Sequence, residues 1–283
     1  MAVVASWTLC RLALVGSWAE RMCRFLAYQG IPVFLEEFVS SPCHSLVHQS
    51  IHATEAKTGT NGDGFGLGWY GDRPEPGLYR EIRPAWSDEN LMSIARQVRS
   101  PLFFAHVRAA TGTASTRANC HPFSHGRWLF MHNGQIGGYA AIKRRLEALI
   151  PDELYAARTG TTDSEALFLI ALGRIRAGTD PVTAMSEALS DAVALMRDAG
   201  VSEPLRFAAG LSDGETIHAF RWSSDSKPPT LYYCEQATHV VIASEPVDER
   251  RDCWKAIPAN GCLVVRRGKV EVRQLAIGLV LAA

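Results

Sequence analysis

Cys23 could act as a nucleophile that carries its own base. It follows Met22 in the segment AERMCRFLAYQG. If translation began at Met22 and that residue were removed, Cys23 would bear a thiol and a free α-amine on the same carbon. Because an α-amine titrates at about 7.7 to 8 and a thiol at about 8.5, the amine could accept the thiol proton without a separate histidine. The alternative is that this lone cysteine is a small buried hydrophobe.

The segment FFAHVRAATGT, which runs from Phe103 to Thr113, is a β-rich run that delivers polar residues at its end. These residues are His106, Arg108 and Thr111. An arginine at the end of a strand can bind a carboxylate through two parallel hydrogen bonds. A surface arginine in a half-exposed strand is the alternative interpretation.

Asn133 and Gly134 close a second β-rich run, RWLFMHNG. An Asn-Gly pair between strand-like runs is most often a tight turn. The same pair could instead aim a side-chain amide and a backbone N–H at one oxyanion, a contribution of about 2.7 to 4 kcal/mol per donor. The local sequence leaves both interpretations open.

The segment TGTTDSEAL predicts the start of a helix. Either Thr162 or Asp163 can act as the N-cap, with Glu165 in the first turn. Asp163 could also face an ammonium group.

No metal or cofactor site is predicted. His44, His48 and His52 are spaced four residues apart on a predicted helix, but no cysteine or acidic residue nearby completes a ligand set. The glycines of GDGFGLG lack the strand-then-helix context of a dinucleotide site. Asn119 and the HPF segment after it could shape a pocket or form a proline turn.

Composition excludes several functional classes. The 283 residues include 29 Lys and Arg and 29 Asp and Glu, so no excess charge is available to attract nucleic acid or anionic lipid. The seven cysteines are an odd number without a C-x-x-C pair, which argues against a zinc ribbon or a disulfide framework and favours a reducing cytoplasm. The apolar tail from Leu275 to Ala283 is too short to cross a membrane and predicts a buried final strand.

The sequence predicts that residues 1–22 are an N-terminal extension and that residues 23–283 form one domain. The extension is apolar, but it lacks a basic start and is interrupted by Arg11. Three explanations remain: a start codon placed too far upstream, a removed propeptide, or a poor export signal.

The elements that must position these residues follow the order strands, helices, strands. Helices are predicted at 43–52, 89–98, 139–150, 164–177 and 182–198. Strands are predicted at 24–29, 65–70, 102–110 and 127–134, and again after Pro204. Glycine alternates with large apolar residues in FGLGWY, which suits a strand that passes close to another backbone. Hairpin-length turns such as SDGE and RRGK indicate an α+β fold built on antiparallel sheets.

The order and wording of several motifs resemble the class II glutamine amidotransferases. The motifs are MCRFLAY, NGDGFGLGWY, RSPLFFAHVRAAT, NCHPF, FMHNG and TDSEAL, and the resemblance extends from Cys23 to about Gln274. The chain is most similar to the stand-alone, YafJ-like members. The resemblance implies an N-terminal nucleophile (Ntn) hydrolase fold, a four-layer αββα sandwich with two mainly antiparallel sheets.

The resemblance also implies roles for individual residues. Cys23 would be the nucleophile, with its α-amine as base, and Asn133 with Gly134 would form the oxyanion hole. Arg108 would bind the α-carboxylate of the substrate and Asp163 its α-ammonium group. His106, Thr111 and the GDGFG loop would be supporting positions of the substrate site. The expected reaction releases ammonia or an amine from glutamine or a γ-glutamyl amide through a γ-glutamyl thioester, with no cofactor.

Several functions stay open at this stage. The protein could supply ammonia to a separate synthase, or it could hydrolyse γ-glutamyl amides. It could also be a regulatory module that binds glutamine or a γ-glutamyl metabolite without turnover. A cysteine hydrolase with His106 or His132 as a separate base is a further alternative.

Overall fold

The computed structural model describes residues 23–52, 60–110, 114–250 and 252–278. The strands in these ranges are β1 Arg24–Phe34, β2 Phe65–Trp69, β3 Gly77–Glu81, β4 Arg99–Val107, β5 Phe123–His125, β6 Trp128–Ile136, β7 Leu205–Ser212, β8 Thr216–Ser223, β9 Tyr232–Glu235, β10 His239–Ala243, β11 Trp254–Ala256, β12 Gly261–Arg266 and β13 Lys269–Gln274. The helices are α1 Glu36–Val39, α2 Leu46–Ile51, α3 Glu89–Gln97, α4 Tyr139–Glu147, α5 Asp152–Tyr155, α6 Asp163–Arg176 and α7 Pro181–Asp198.

The strands form two sheets. The first has seven strands in the order β11-β9-β10-β1-β4-β2-β3, and the second has six in the order β13-β12-β8-β7-β6-β5. Each described pairing between neighbouring strands is antiparallel. The predicted α+β fold with antiparallel sheets is therefore confirmed.

Three apolar cores separate four layers. One core lies between α1, α2 and α3 and the outer face of the first sheet. The second fills the space between the two sheets. The third packs α4 to α7 on the outer face of the second sheet. The molecule is thus an αββα sandwich, as the resemblance implied.

The first half of β1, residues 24–29, is buried on both faces of the sheet. Phe25 and Ala27 point between the two sheets, whereas Leu26 and Tyr28 point towards the helices. Since successive side chains of a strand alternate between faces, a strand covered on both faces buries all of them. Burial of each large side chain contributes about 1.5 to 3 kcal/mol. β1 therefore provides a rigid base for the residue that precedes it, Cys23.

Side-chain caps start α3 and α7. Asp88 accepts a hydrogen bond from the Leu91 N–H at the start of α3, and Asp180 accepts from the Val182 and Thr183 N–H groups at the start of α7. Such caps satisfy backbone donors that have no partner within the helix. The predicted helices agree with the structure to within a few residues at their ends.

Gly66 of β2 confirms the predicted close approach of two backbones. A Cβ atom at this position would collide with the carbonyl oxygen of His121. Gly68 has a similar constraint, since its Cβ would lie 2.8 Å from Cγ of Pro122. The alternation of glycine in FGLGWY therefore lets the HPF segment pack directly on the first sheet.

Two features differ from the sequence predictions. A disulfide joins Cys234 of β9 to Cys253, which the odd number of cysteines did not predict. The final strand predicted from Leu275 is not formed in its described part, because the strand ends at Gln274 and Leu275 and Ile277 pack instead against the core under the second sheet. Within the described ranges, no helix combines the length and apolar character needed to cross a bilayer.

Candidate active site

Cys23 lies immediately before β1, the strand that is held between β10 and β4. Its sulfur is 3.4 Å from the N–H nitrogen of Ala109 and 3.5 Å from the carbonyl oxygen of the same residue. Burial raises the pKa of the Cys23 thiol, and the Ala109 N–H and the Arg108 and Arg24 guanidinium groups oppose that rise. A base beside the thiol is therefore needed to generate a thiolate near neutral pH.

Arg108 follows β4 and is buried beside Cys23. Its Nη1 donates to the carbonyl oxygen of Asp63 at 3.2 Å, and its Nη2 donates to that of Ala114 at 3.5 Å. The Asp63 carboxylate in turn accepts from the Ala110 N–H at 2.8 Å. The loop before β2 thus fixes the end of β4 and the guanidinium that it carries.

Asn133 and Gly134 lie within β6, not in a turn. Both pair with β7, Asn133 with Ala208 and Gly134 with Phe207. The Asn133 side chain is fully buried, and among the described residues neither its nitrogen nor its oxygen has a hydrogen-bond partner. Because Leu129 and Met131 of β6 point between the sheets, the same alternation turns Asn133 towards the sheet that carries Cys23.

Gly134 has a backbone conformation that favours glycine, with φ of 147°. A Cβ atom there would collide with the Arg206 carbonyl and would lie 2.7 Å from Nε2 of His132. Only glycine lets β6 pass this point while keeping its pairing with β7. The turn interpretation of the Asn-Gly pair is therefore wrong.

Asp163 is the first residue of α6, and the N-cap is Thr162, whose hydroxyl accepts from the Glu165 N–H at 3.2 Å. One Asp163 oxygen accepts from the Ile136 N–H at 2.7 Å, and the other accepts from the Ser164 N–H at 2.8 Å. Ile136 is the last residue of β6, so the carboxylate is tied to the same strand as Asn133. The positive end of the helix dipole also stabilises a carboxylate at this position.

His106 of β4 links the two sheets. Its Nε2 lies 3.2 Å from the carbonyl oxygen of His132 and must carry a proton, since a carbonyl only accepts. Burial, with the help of the Arg108 charge, lowers the pKa of His106 to about 3, although the hydrogen bond to His132 opposes this change. A neutral His106 therefore fixes the peptide just before Asn133.

His132 points away from Cys23, towards the helix layer. Its Nδ1 lies 2.8 Å from the Ser164 hydroxyl, and its Nε2 lies 3.3 Å from the Arg206 carbonyl. Burial lowers the pKa of His132, while the Asp163 charge opposes the decrease. The orientation of the ring is unsuitable for a base that acts on the Cys23 thiol.

These contacts form two groups: Cys23 with Arg108 on the first sheet, and Asn133, Gly134 and Asp163 on or beside β6 of the second sheet. The hydrogen bond from His106 of β4 to the His132 carbonyl joins the strands that carry them. Thr111 falls outside the described residues. Residues 1–22 also lie outside the described ranges.

Sequence reasoning missed two supporting groups, Arg24 and Glu245, and it did not predict the contact that the Asp63 carboxylate makes. Asp63 lies in the GDGFG loop, but its partner Ala110 is distant in the sequence. Arg24 forms a buried ion pair with Glu245 and donates from Nη1 to the Cys23 carbonyl oxygen at 2.9 Å. Only the proximity of Arg24 to Cys23 in the motif MCRFLAY could have indicated this role.

Asn119 shapes the site from outside. Its side-chain oxygen accepts from the Thr161 N–H at 2.8 Å, and its nitrogen donates to the Ala114 carbonyl at 2.9 Å. Asn119 therefore joins the segment after Arg108 to the segment before Asp163. The described residues contain no group of three or more His, Cys, Asp or Glu side chains arranged for a metal ion, and this includes His44 and His48.

The sequence is similar to known proteins of one family. The sequence pattern of the class-II glutamine amidotransferases matches residues 22–234. Probable glutamine amidotransferase DUG3 of Saccharomyces cerevisiae is 31% identical over 293 residues, which cover 87% of this chain and 82% of the relative. Gamma-glutamyl-hercynylcysteine sulfoxide hydrolase of Mycolicibacterium smegmatis is 30% identical over 256 residues, 90% of this chain and 100% of the relative.

Solved structures of glutamine amidotransferases are also similar to this chain. A glutamine aminotransferase class-II domain protein from Silicibacter pomeroyi is 36% identical with a TM-score of 0.71, and the match covers 90% of this chain and 100% of the other. The glutamine phosphoribosylpyrophosphate amidotransferase of B. subtilis, at 14% identity and a TM-score of 0.57 over 90% of this chain and 49% of the other, shares the fold alone. Since the family pattern spans most of the chain and similar proteins align over most of their length, this chain belongs to the class-II glutamine amidotransferases.

Proposed function

We propose that this protein is an amidohydrolase that transfers the γ-glutamyl group of glutamine, or of another γ-glutamyl amide, to Cys23 and then to water. The observation that carries the proposal is the buried side-chain amide of Asn133. It has no hydrogen-bond partner among the described residues, and it faces the first sheet, in which Cys23 precedes β1. Two relatives support the substrate class, since one is a probable glutamine amidotransferase and another is a gamma-glutamyl-hercynylcysteine sulfoxide hydrolase.

Substrate orientation is the first task of the site. Arg108 binds the α-carboxylate, and Asp163 accepts hydrogen bonds from the α-ammonium group. With both ends of the amino acid held, the side-chain amide carbon lies next to the Cys23 sulfur. Such orientation converts an encounter into a near-attack geometry and supplies a large part of the rate.

Attack forms a tetrahedral intermediate. The Cys23 thiol gives its proton to the α-amine of the same residue, and the sulfur bonds to the amide carbon while the carbonyl π electrons move to oxygen. The Asn133 amide and the Gly134 N–H donate to that oxyanion. The ammonium group of Cys23 then protonates the leaving nitrogen as the C–N bond breaks, which releases ammonia or an amine and leaves the γ-glutamyl thioester.

Water completes the reaction. The α-amine of Cys23 removes a proton from the attacking water, the same donors bind the second oxyanion, and the C–S bond breaks as the sulfur regains the proton. One water is consumed, and glutamate is released. When the leaving group is ammonia, a separate synthase could use it; when it is an amine, the reaction is a hydrolysis that needs no partner.

This mechanism requires Cys23 to be the first residue of the active protein. A Cys23 nitrogen in a peptide bond has no basic lone pair, so the chain that retains residue 22 is expected to be inactive. Mass spectrometry of the protein isolated from its native host is expected to find Cys23 at the N-terminus. Fully active enzyme with residues 1–22 still attached would exclude the amine as base.

Glutamate release tests the reaction. Protein that begins at Cys23 is incubated with glutamine and, separately, with γ-glutamyl peptides, and glutamate is measured. Turnover of at least one substrate is expected, with a loss of about 10³-fold or more in kcat for Cys23→Ala, since the thioester can no longer form. Preferential turnover of glutamine would favour the ammonia-supplying role, and preferential turnover of peptides would favour amide hydrolysis.

Two controls separate the alternatives. Acetylation of the Cys23 amine is expected to abolish turnover; an active acetylated enzyme would favour a histidine base instead. Binding of these compounds without any turnover by the protein that begins at Cys23 would contradict the proposal and favour a regulatory module.

A further inference from the structure

The strongest unexplained feature next to the site is the ion pair between Arg24 and Glu245. The two side chains are 0% and 4% exposed, and Nε of Arg24 donates to Oε1 of Glu245. The guanidinium also donates from Nη1 to the Cys23 carbonyl oxygen at 2.9 Å. A pair of charges with so little exposure is therefore in direct contact with the main chain of the candidate nucleophile.

Strand pairing fixes this arrangement. Leu26 of β1 pairs with Ala243 of β10, which places Glu245 opposite Arg24 just beyond the end of β10. The Ser244 hydroxyl accepts from the Phe25 N–H at 3.1 Å, and the Ser244 N–H donates to the Phe25 carbonyl at 3.0 Å. The pair therefore belongs to the rigid part of the first sheet.

The side chains of Arg24 and Cys23 lie on opposite faces of the first sheet. Leu26 and Tyr28 point towards the helices, and by alternation Arg24 shares their face, whereas Cys23 shares the face of Phe25 between the sheets. A substrate held between the sheets contacts Cys23 and not the Arg24 guanidinium. Any effect of Arg24 on the reaction must pass through Cys23.

Stability does not account for such a pair. Removing two charges from water carries a large penalty, and well-packed apolar residues of similar volume often stabilise a protein as much or more. The particular property of this pair is its position. Nη1 is 2.9 Å from the Cys23 oxygen, so covalent geometry places the nitrogen of Cys23 within about 6.5 Å of Nη1.

We propose that Arg24, held by Glu245, is a positioning residue that fixes the Cys23 carbonyl and keeps a positive charge beside the Cys23 nitrogen. This inference rests on the proposed function, in which that nitrogen is the base. The active form of the thiol and amine pair holds one proton between the two groups. A nearby positive charge disfavours the inactive form with an additional proton and extends activity to lower pH.

Other charged groups also face Cys23, and they stay constant in the test. Arg108 follows β4, and Asp63 precedes β2; the first lowers the pKa of the Cys23 thiol and the second raises it. Asn133 and Gly134 of β6 carry no charge, and His106 of β4 is neutral because burial lowers its pKa to about 3.

Opposite pH shifts distinguish this role from a structural one. The test uses protein that begins at Cys23 and measures the pH dependence of kcat/KM. Arg24→Met is expected to shift the acid side of this profile to higher pH by about 0.5 to 1 unit, and Glu245→Gln to shift it to lower pH by about the same amount. Arg24→Lys keeps the charge and is expected to shift the profile little, while kcat falls about 10-fold because the fork is lost. KM is expected to stay within about 3-fold in all three variants.

Alkylation by iodoacetamide gives a second readout that needs no turnover. The pH midpoint of Cys23 alkylation, measured by peptide mass mapping, is expected to move in the same directions, while the exposed Cys43 serves as an internal reference with a constant midpoint. If the wild-type protein alkylates as expected but hydrolyses nothing, the proposed function fails and the positioning role of Arg24 is retained.

The matched control is Arg174→Met, which removes an arginine paired with Asp191 between α6 and α7. Neither pH readout is expected to move. Shifts of the same sign in Arg24→Met and Glu245→Gln, or no shift in either, would overturn the inference. If Arg24→Met does not fold, as judged by circular dichroism, the downward shift of Glu245→Gln decides alone, and its absence overturns the inference.

Discussion

The two sheets contribute to the site in different ways. In the first sheet, the Cys23 sulfur contacts the Ala109 backbone, and the Arg108 guanidinium donates to the carbonyl oxygens of Asp63 and Ala114. In the second sheet, the Asn133 amide is fully buried and has no partner among the described residues. Contacts that fold the first sheet also position its site residues, whereas Asn133 leaves its hydrogen-bonding groups unused.

In the second sheet, Asn133 is proposed to serve the reaction but does not stabilise the fold. In the first sheet, the contacts of Arg108 serve both. A buried amide without a partner costs about 1 to 3 kcal/mol, whereas a buried hydrogen bond from a charged group contributes about 1.5 to 3 kcal/mol. Loss of Asn133 should therefore favour folding, and loss of Arg108 should oppose it. Both losses should reduce the reaction.

Asn133→Leu is expected to give the largest effect. Leucine is close in size to asparagine and removes the unpaired amide, so the free energy of unfolding should rise by about 1 to 3 kcal/mol. Loss of one oxyanion donor should lower kcat about 10² to 10³-fold. Urea unfolding and glutamate release measure the two quantities.

Asn119→Leu is the matched control for stability, because Asn119 is also a buried asparagine but its amide is satisfied by Thr161 and Ala114. This variant is expected to lose about 1 to 3 kcal/mol of unfolding free energy. A loss of stability in Asn133→Leu similar to that in Asn119→Leu would show that the Asn133 amide is structurally engaged and would remove the contrast between the sheets.

Arg108→Lys should affect both properties in the same direction. Lysine keeps the charge but cannot hold two carbonyl oxygens and a carboxylate with one planar fork. KM is expected to rise about 10 to 100-fold, with a smaller change in kcat, since the contact is made in the ground state as well as in the transition state. Unfolding free energy should fall by about 1 to 2 kcal/mol as buried carbonyls lose a donor. An unchanged KM would assign carboxylate binding to another group.

The local sequence predicted the strands that carry the site residues, but not the conformation of the Asn-Gly pair. Alternating and continuous apolar runs identified β1, β4 and β6, and hairpin-length turns indicated antiparallel sheets. The Asn-Gly pair could not be interpreted locally, because its place within β6 depends on pairing with Ala208 and Phe207 of β7, which are far along the chain. A residue pair such as Asn-Gly is compatible with a turn or a strand until the partner strand is known.

The supporting ion pair and loop contacts escaped prediction for the same reason. Arg24 and Glu245 are 221 positions apart, and Asp63 and Ala110 are 47 positions apart. Periodicity reports which face of an element is apolar, but it carries no information on which distant polar residue completes a buried contact. Arg24 lies in the motif MCRFLAY, but its pairing with Glu245 follows from the register of β1 with β10. Asp63 lies in GDGFG, but its contact with Ala110 follows from the path of the loop before β2.

The smallest predicted effect concerns His106, which joins the two sheets through the His132 carbonyl. Its pKa is lowered by burial to about 3, so the folded protein resists protonation that the unfolded chain accepts near 6.5. The stabilisation is thus complete above pH 6.5 and is lost progressively as the pH falls from 6.5 towards 3. Between pH 7 and 5.5, this group should account for a loss of about 1.2 kcal/mol. Urea unfolding of wild type and His106→Asn at both pH values isolates this contribution, because His121, His132 and His218 titrate in both proteins. The difference between the two pH values should be about 1.2 kcal/mol smaller in the variant; an equal difference would mean that His106 is not held neutral between the sheets.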